Sequence, residues 1–150
     1  MSRGTVDRLW VSGQILLMAL VVVAAVLGPH WTAGLVLAIV GVVVVAAGGL
    51  AMLWGGRTLG RSLTIYPSPR GQHLERGPYR FIRHPMYGGG ILVAVGAALA
   101  SSPVALAPAL ALAPFLLFKA RYEERLLTRA DPGYDEYLSR VRKRFFPGLL

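Results

Sequence analysis

Residues 9–56 read LWVSGQILLMALVVVAAVLGPHWTAGLVLAIVGVVVVAAGGLAMLWGG and contain no Asp, Glu, Lys or Arg. This run decides the fold class, because about 20 uncharged apolar residues cross a hydrocarbon core of about 30 Å. It is long enough for two spans, and Gly28-Pro29-His30 breaks it between them. A second charge-free run, His84 to Phe118, breaks at Ser101-Ser102-Pro103 into two shorter segments. The expected fold is an all-α integral membrane protein with four transmembrane helices, roughly 9–27, 31–54, 85–100 and 103–118. They form two hairpins, followed by a cytoplasmic C-terminal helical segment. At 150 residues the chain is expected to be a single membrane domain.

Charge placement tests the span count. Four spans put the N-terminus, segment 57–83 and tail 119–150 on one side, and all 16 Lys and Arg residues fall in those three pieces. A basic residue at mid-bilayer costs roughly 2.5–3.5 kcal/mol, and basic loops stay in the cytoplasm. Both termini are therefore predicted to be cytoplasmic; three or five spans would strand a basic piece on the other side. The same bias explains the net charge of +9 as attraction to anionic headgroups, so no nucleic-acid partner is expected. Arg3 and Arg8 before an apolar run imitate a signal peptide, but the run is long and a second span follows at once. With no cysteine, a thiol nucleophile and a cysteine metal site are excluded.

Gly34, Gly41 and Gly48 recur every seven residues and share one face of the second span, where small residues let helices pack closely. Segment 55–83 reads as a loop rich in Gly, Pro and Arg, with Tyr66-Pro67-Ser68-Pro69 extended. The fourth helix is expected to continue through Lys119–Leu127 and stop at Asp131-Pro132-Gly133. A short helix over about 134–143 follows, with Tyr134, Tyr137, Leu138 and Val141 at helical spacing.

The chemistry concentrates at Arg83-His84-Pro85-Met86-Tyr87-Gly88, where a basic loop becomes an apolar helix. Pro85 suits the first turn of a helix, whose free N–H groups and positive dipole end favour an anion. Arg83 adds a bidentate donor for a carboxylate or phosphate, and His84 can donate or accept near neutral pH. Gly88, Gly89 and Gly90 would let a ligand approach the backbone. The alternative is that Arg83 snorkels to headgroups and His84-Pro85 ends a loop. Glu123 and Glu124 have two readings as well. They form either a solvated helix extension, with Lys119 and Glu123 paired at i,i+4, or acids that bind a ligand ammonium or fix an arginine. His30, His73 and His84 form no metal-ligand cluster by spacing.

The run Gly77-Pro78-Tyr79-Arg80-Phe81-Ile82-Arg83-His84-Pro85-Met86-Tyr87-Gly88 resembles the signature of the isoprenylcysteine carboxyl methyltransferase and phospholipid methyltransferase superfamily. Glu123-Glu124-Arg125-Leu126-Leu127, followed by Tyr134 and Tyr137, resembles its second motif. The resemblance covers roughly residues 57–147. It implies an integral membrane enzyme that uses S-adenosyl-L-methionine and takes a lipophilic small molecule or lipid from the bilayer. By similarity, Gln72, His73, Leu74, Tyr79, His84, Pro85, Met86, Tyr87 and Gly88 line the cofactor, and Glu123 closes it from the tail. Lys119 stands where the carboxyl methyltransferases carry an arginine near the acceptor, and Arg121 is a candidate substitute. A Phe-Gly pair usual before the tyrosines is replaced around Asp131-Pro132-Gly133.

A sulfonium methyl is already activated, so such an enzyme chiefly aligns the acceptor and excludes water. A carboxylate acceptor needs no base, whereas an amine could pass its proton to Glu124. Arg83, Lys119, Arg121 and Glu124 are thus the expected catalytic residues. Two other functions remain in view. One is an NADPH-dependent sterol- or enone-type reductase, whose relatives share an Arg-His-Pro-like motif. The other is a small four-span transporter, although such proteins usually need an ionisable residue within a span.

Overall fold

The computed structural model describes residues 2–32, 34–60, 63, 64, 66 and 75–146. The extended stretch expected at 66–69 lies, apart from Tyr66, outside the described residues. The regular elements are all helical: α1 (Arg3–Leu27), α2 (Gly34–Leu59), α3 (Pro85–Ser101), α4 (Leu106–Ala130) and α5 (Tyr134–Arg140). Short 3-10 turns at Gly77–Arg80 and Pro103–Ala105 lead into α3 and α4.

Local chemistry sets the boundaries. Ser2 caps α1 by accepting from the Thr5 amide at 3.3 Å. The helix thus begins six residues before the apolar run and carries Asp7 and Arg8 within it. Pro85 opens α3 as expected of a first-turn proline. α4 continues without interruption past Lys119 to Ala130. α5 ends at Arg140, short of the expected residue 143.

Among the described residues, three stretches are long and apolar enough to cross a membrane: Arg3–Leu27, Gly34–Leu59 and Pro103–Ala130. Apolar side chains such as Leu16, Val22, Leu35, Val36 and Leu50 point outward from α1 and α2, as helices in contact with lipid require. α3 has 17 residues and a length of about 25 Å, and its neighbours rather than solvent cover much of it. Pro85, Gly88, Gly89, Ile91, Ala94, Gly96 and Ala98 are all buried.

Packing follows the second expected hairpin, in which α3 and α4 pack together, but not the first. α2 packs on α3, while α1 packs on α4 and on α3, so the first two helices do not form the main pair. At one end of the bundle Asp7 of α1 meets Tyr122 of α4, and Gly55 of α2 meets Met86 of α3. At the other end, the Trp31 indole donates to the Ala98 carbonyl at 3.0 Å, and His30 Nδ1 lies 3.1 Å from the Ser101 carbonyl.

The α2–α3 seam is built from glycine. A Cβ on Gly41 would lie 2.5 Å from the Gly96 carbonyl, and one on Gly48 would lie 2.6 Å from the Gly89 carbonyl. The seven-residue stripe runs through Gly41, Gly48 and Gly55, which are buried. Gly34 lies outside it, exposed at the start of α2 with φ +27.

Candidate active site at the start of α3

The 3-10 turn Gly77–Arg80 buries Pro78 and delivers the chain to His84, which precedes the first turn of α3. The tail pairs with this approach through its backbone. The Arg83 amide donates to the Lys143 carbonyl at 2.9 Å, and the His84 amide donates to the Arg144 carbonyl at 2.8 Å. Tyr137 of α5 adds a hydroxyl bond to the Tyr79 carbonyl at 2.8 Å. Tyr79, Tyr134 and Tyr137 are shielded enough that their hydroxyl pKa values rise well above the ordinary range, chiefly by desolvation.

The acids of α4 face this junction. Glu124 is gripped from two sides: Arg83 Nη1 donates to Oε1 at 2.9 Å, and Arg144 donates from Nη2 to Oε2 at 3.1 Å and from Nε to Oε1 at 3.2 Å. The other terminal nitrogen of Arg83 donates to the Arg142 carbonyl at 2.6 Å. Glu123 accepts from the Tyr87 hydroxyl at 2.7 Å and turns its second oxygen towards His84 Nδ1 at 3.6 Å. The His84 and Tyr87 rings are nearly parallel with centroids 5.3 Å apart, and Phe145 stands edge-on to both. Lys119, fully buried, lies 5.2 Å from the Tyr87 ring centre.

Two buried nitrogens stand out. Arg83 Nε and His84 Nε2 have no hydrogen-bond partner among the described residues. His84 Nε2 lies 3.3 Å from Glu124 Oε1 but out of line for a hydrogen bond. An unpartnered buried donor such as Arg83 Nε is rare in folded proteins and marks a place where a further acceptor belongs.

The expected site residues therefore separate into groups. Arg83, His84, Tyr87, Lys119, Glu123 and Glu124 come together in one cluster. Pro85 and Met86 turn towards α2, against Gly55. Tyr79 also faces that end of α2, its hydroxyl 3.6 Å from where a Gly55 Cβ would sit. Arg121 is exposed and rests near the Phe118 ring, so it does not join the cluster or stand in for Lys119. Gln72, His73 and Leu74 lie outside the described residues.

The three glycines have three different surroundings. The Phe145 carbonyl fills the space beside Gly88, so the tail rather than a ligand uses that opening. Gly89 faces the Gly48 carbonyl, and only Gly90 has open space beside it. Sequence reasoning missed Arg144, Phe145 and Gln14. The first two act through a tail whose pairing is carried by backbone groups. Gln14 lies in a helix with no motif.

The sequence profile of the phospholipid methyltransferase family matches residues 36–130, which take in α2 from Val36 onward, α3, α4 and the cluster's acids. The chain belongs to the phospholipid methyltransferase family. Among curated relatives, the nickel-cobalt-cadmium resistance protein NccN of Alcaligenes xylosoxydans xylosoxydans is 40% identical over 75 residues, 49% of this chain and 35% of that protein. The cobalt-zinc-cadmium resistance protein CzcN of Cupriavidus metallidurans is 39% identical over 75 residues, 49% of this chain and 34% of that protein. The chain thus spans about a third of the length of the curated relatives it matches. No solved structure matches it. For a member of this methyltransferase family, apolar helices with outward-facing aliphatic residues are those of a membrane protein.

Proposed function

We propose that this protein is an S-adenosyl-L-methionine-dependent methyltransferase of the bilayer, acting on a small lipophilic acceptor or a lipid. The observation that carries the reading is the buried cluster at the start of α3. It sets an acid, Glu123, beside Arg83 Nε, a buried donor that lacks an acceptor, and beside the His84 ring, whose Nε2 lies 3.3 Å from Glu124 Oε1. An amino-acid moiety carries an ammonium and a carboxylate, which match an acid and a free arginine donor beside a helix N-terminus. The residues present therefore fit the cofactor. When bound, it supplies an electrophilic methyl group on a sulfonium.

The protein's own work is to bind, orient and keep water out. The tail residues Arg144 and Phe145 lie over His84 and Tyr87 and close the cluster from solvent. Glu124 has both oxygens engaged by arginines, so it is a structural anchor and a poor proton acceptor. A carboxylate acceptor of the isoprenylcysteine type would need no base, and Lys119 would then supply the nearby positive charge.

We also propose four spans with both termini in the cytoplasm. The support is the confinement of every Lys and Arg to three pieces that alternate spans would place together. Metal resistance, named for the two relatives, is a second reading. A deletion strain with unchanged tolerance to nickel, cobalt, zinc and cadmium would remove it.

Calorimetry with S-adenosylhomocysteine tests the cofactor site. His84→Ala and Glu123→Gln should each weaken binding at least tenfold, about 1.4 kcal/mol, while the protein elutes unchanged in detergent. Equal affinity in wild type and both variants would overturn the site. Methyl transfer from labelled cofactor into a membrane lipid extract would then identify the acceptor.

A further inference from the structure

α1 lies outside residues 36–130, the part that matches the family, yet it reaches the cluster. Gly13 leaves room for the Phe115 ring, 2.8 Å from where its Cβ would be, so α1 and α4 approach closely there. One residue on, the Gln14 carboxamide oxygen accepts from Lys119 Nζ at 2.6 Å. The lysine it holds is 1% exposed, and its ammonium sits over the Tyr87 ring, whose hydroxyl donates to Glu123.

Lys119 and Glu123 are four residues apart on α4, the spacing at which a lysine and an acid pair along a helix. A lysine has a flexible four-carbon stem, so nothing in its own geometry keeps it off Glu123. Gln14 does. Its amide is neutral, so it orients the ammonium without cancelling the charge, and it draws that charge towards α1.

We infer that Gln14 is a positioning residue of this site: by anchoring Lys119 it keeps the Glu123 carboxylate from being captured within α4 and leaves it open to a ligand cation. This rests on the methyltransferase reading for the identity of the ligand, but not for the position of Lys119.

Two measurements on the full chain in detergent test it. In calorimetry with S-adenosylhomocysteine, Gln14→Leu should weaken binding at least fivefold. The double variant Gln14→Leu/Lys119→Met should return to within twofold of Lys119→Met alone. If α1 merely glued the bundle, removing the lysine would rescue nothing, and a double variant as weak as Gln14→Leu overturns the inference. Gln14→Met, similar in length, replaces Gln14→Leu if the latter elutes as aggregate.

The second measurement needs no cofactor. Lys119 and Lys143 are the two lysines of the chain, so 15N-lysine labelling yields one ammonium signal from each. The Lys119 signal should move in Gln14→Leu while that of the exposed Lys143 stays. An unmoved Lys119 signal overturns the inference. If wild type bound no S-adenosylhomocysteine, the proposed function would fall, and the ammonium signal alone would decide the role of Gln14.

Discussion

The two seams of this bundle are built from opposite materials. Between α2 and α3, glycine faces glycine, and main chain lies against main chain at Gly41–Gly96 and Gly48–Gly89. Between α1 and α4 the contacts are side chains: Trp10 edge-on to Phe115 at 5.3 Å, Tyr122 on Asp7 at 3.2 Å and Lys119 on Gln14 at 2.6 Å. The first seam fixes where α3 begins, and so where His84 and Tyr87 stand. The second sets how the acids of α4 are presented to them. A seam of main chain has no rotamers to adjust, whereas a seam of long side chains can yield by turning them. The rigid half of the site therefore lies on α2–α3 and the adjustable half on α1–α4.

The largest effect should come from breaking the rigid seam. Gly48→Leu places a side chain against the Gly89 carbonyl, the Leu92 Cβ and the Val93 amide, atoms that can move aside only with the backbone of α3. Overpacking of this kind costs about 3 kcal/mol or more, and thermal unfolding in detergent should show it as a large fall in midpoint or as aggregation. Gly49→Leu is the control, because a Cβ there meets nothing within 4 Å, and its cost should stay within about 0.5 kcal/mol. Equal costs at the two positions would mean that α2 does not pack through its glycine stripe.

The helices themselves were legible because charge-free runs of the right length permit little else. The meeting of Arg83 with Glu124 was also within reach, since the two motifs flank one helical hairpin. What escaped depended on neighbours that local sequence does not name. Gly88, Gly89 and Gly90 are the same letter, yet one receives the tail, one receives α2 and one faces open space. Gln14 and Lys119 are joined across most of the chain, and the apolar text of α1 gives no hint of it. Arg121 is a different kind of miss. Two residues beyond Lys119 on a helix, it had to point to another face, and helical spacing alone could have excluded it as a substitute.

A middle-sized effect is expected where the tail clasps α4. Arg144→Ala removes all three of that residue's hydrogen bonds to Glu124 but leaves Arg83 in place. Hydrogen bonds to charged groups are worth about 1.5–3 kcal/mol, and the partial exposure of Arg144 lowers this to about 1–2 kcal/mol. The measurement is proteolysis after α5, which should quicken in Arg144→Ala well below the temperature at which the bundle melts. Simultaneous loss of tail and bundle would mean the clasp belongs to the rigid half.

Alkali should loosen the same clasp. Burial raises the Tyr134 and Tyr137 hydroxyls above the ordinary tyrosine value near 10. A group whose folded value is raised contributes stability that is complete below its unfolded value. That stability is lost as pH climbs from there towards the folded value, because only the unfolded tail can ionise freely. Each tyrosine should therefore cost docking about 1.4 kcal/mol per pH unit above pH 10. Tyrosinate absorbance should rise together with proteolysis of the tail, and Tyr137→Phe should flatten the response. Ionisation without increased proteolysis would show that the tail does not depend on these hydroxyls being neutral.

The smallest effect sharpens the comparison most. Tyr122→Phe deletes the hydroxyl that reaches Asp7 but keeps the ring that lies 6.0 Å from Trp10. A single hydrogen bond contributes about 1 kcal/mol net, and an adjustable seam should absorb its loss without shifting α3. A double-mutant cycle with Asp7→Asn should give a coupling of about 1 kcal/mol or less, with S-adenosylhomocysteine affinity unchanged in both single variants. Asp7 and Tyr122 are two turns of α1 away from Gln14, so they test the seam apart from its contact with the site. A coupling as large as the cost of Gly48→Leu would mean that α1–α4 is as unyielding as α2–α3. Gln14 would then hold Lys119 in a rigid frame, and its loss would be felt along the whole helix rather than at Glu123.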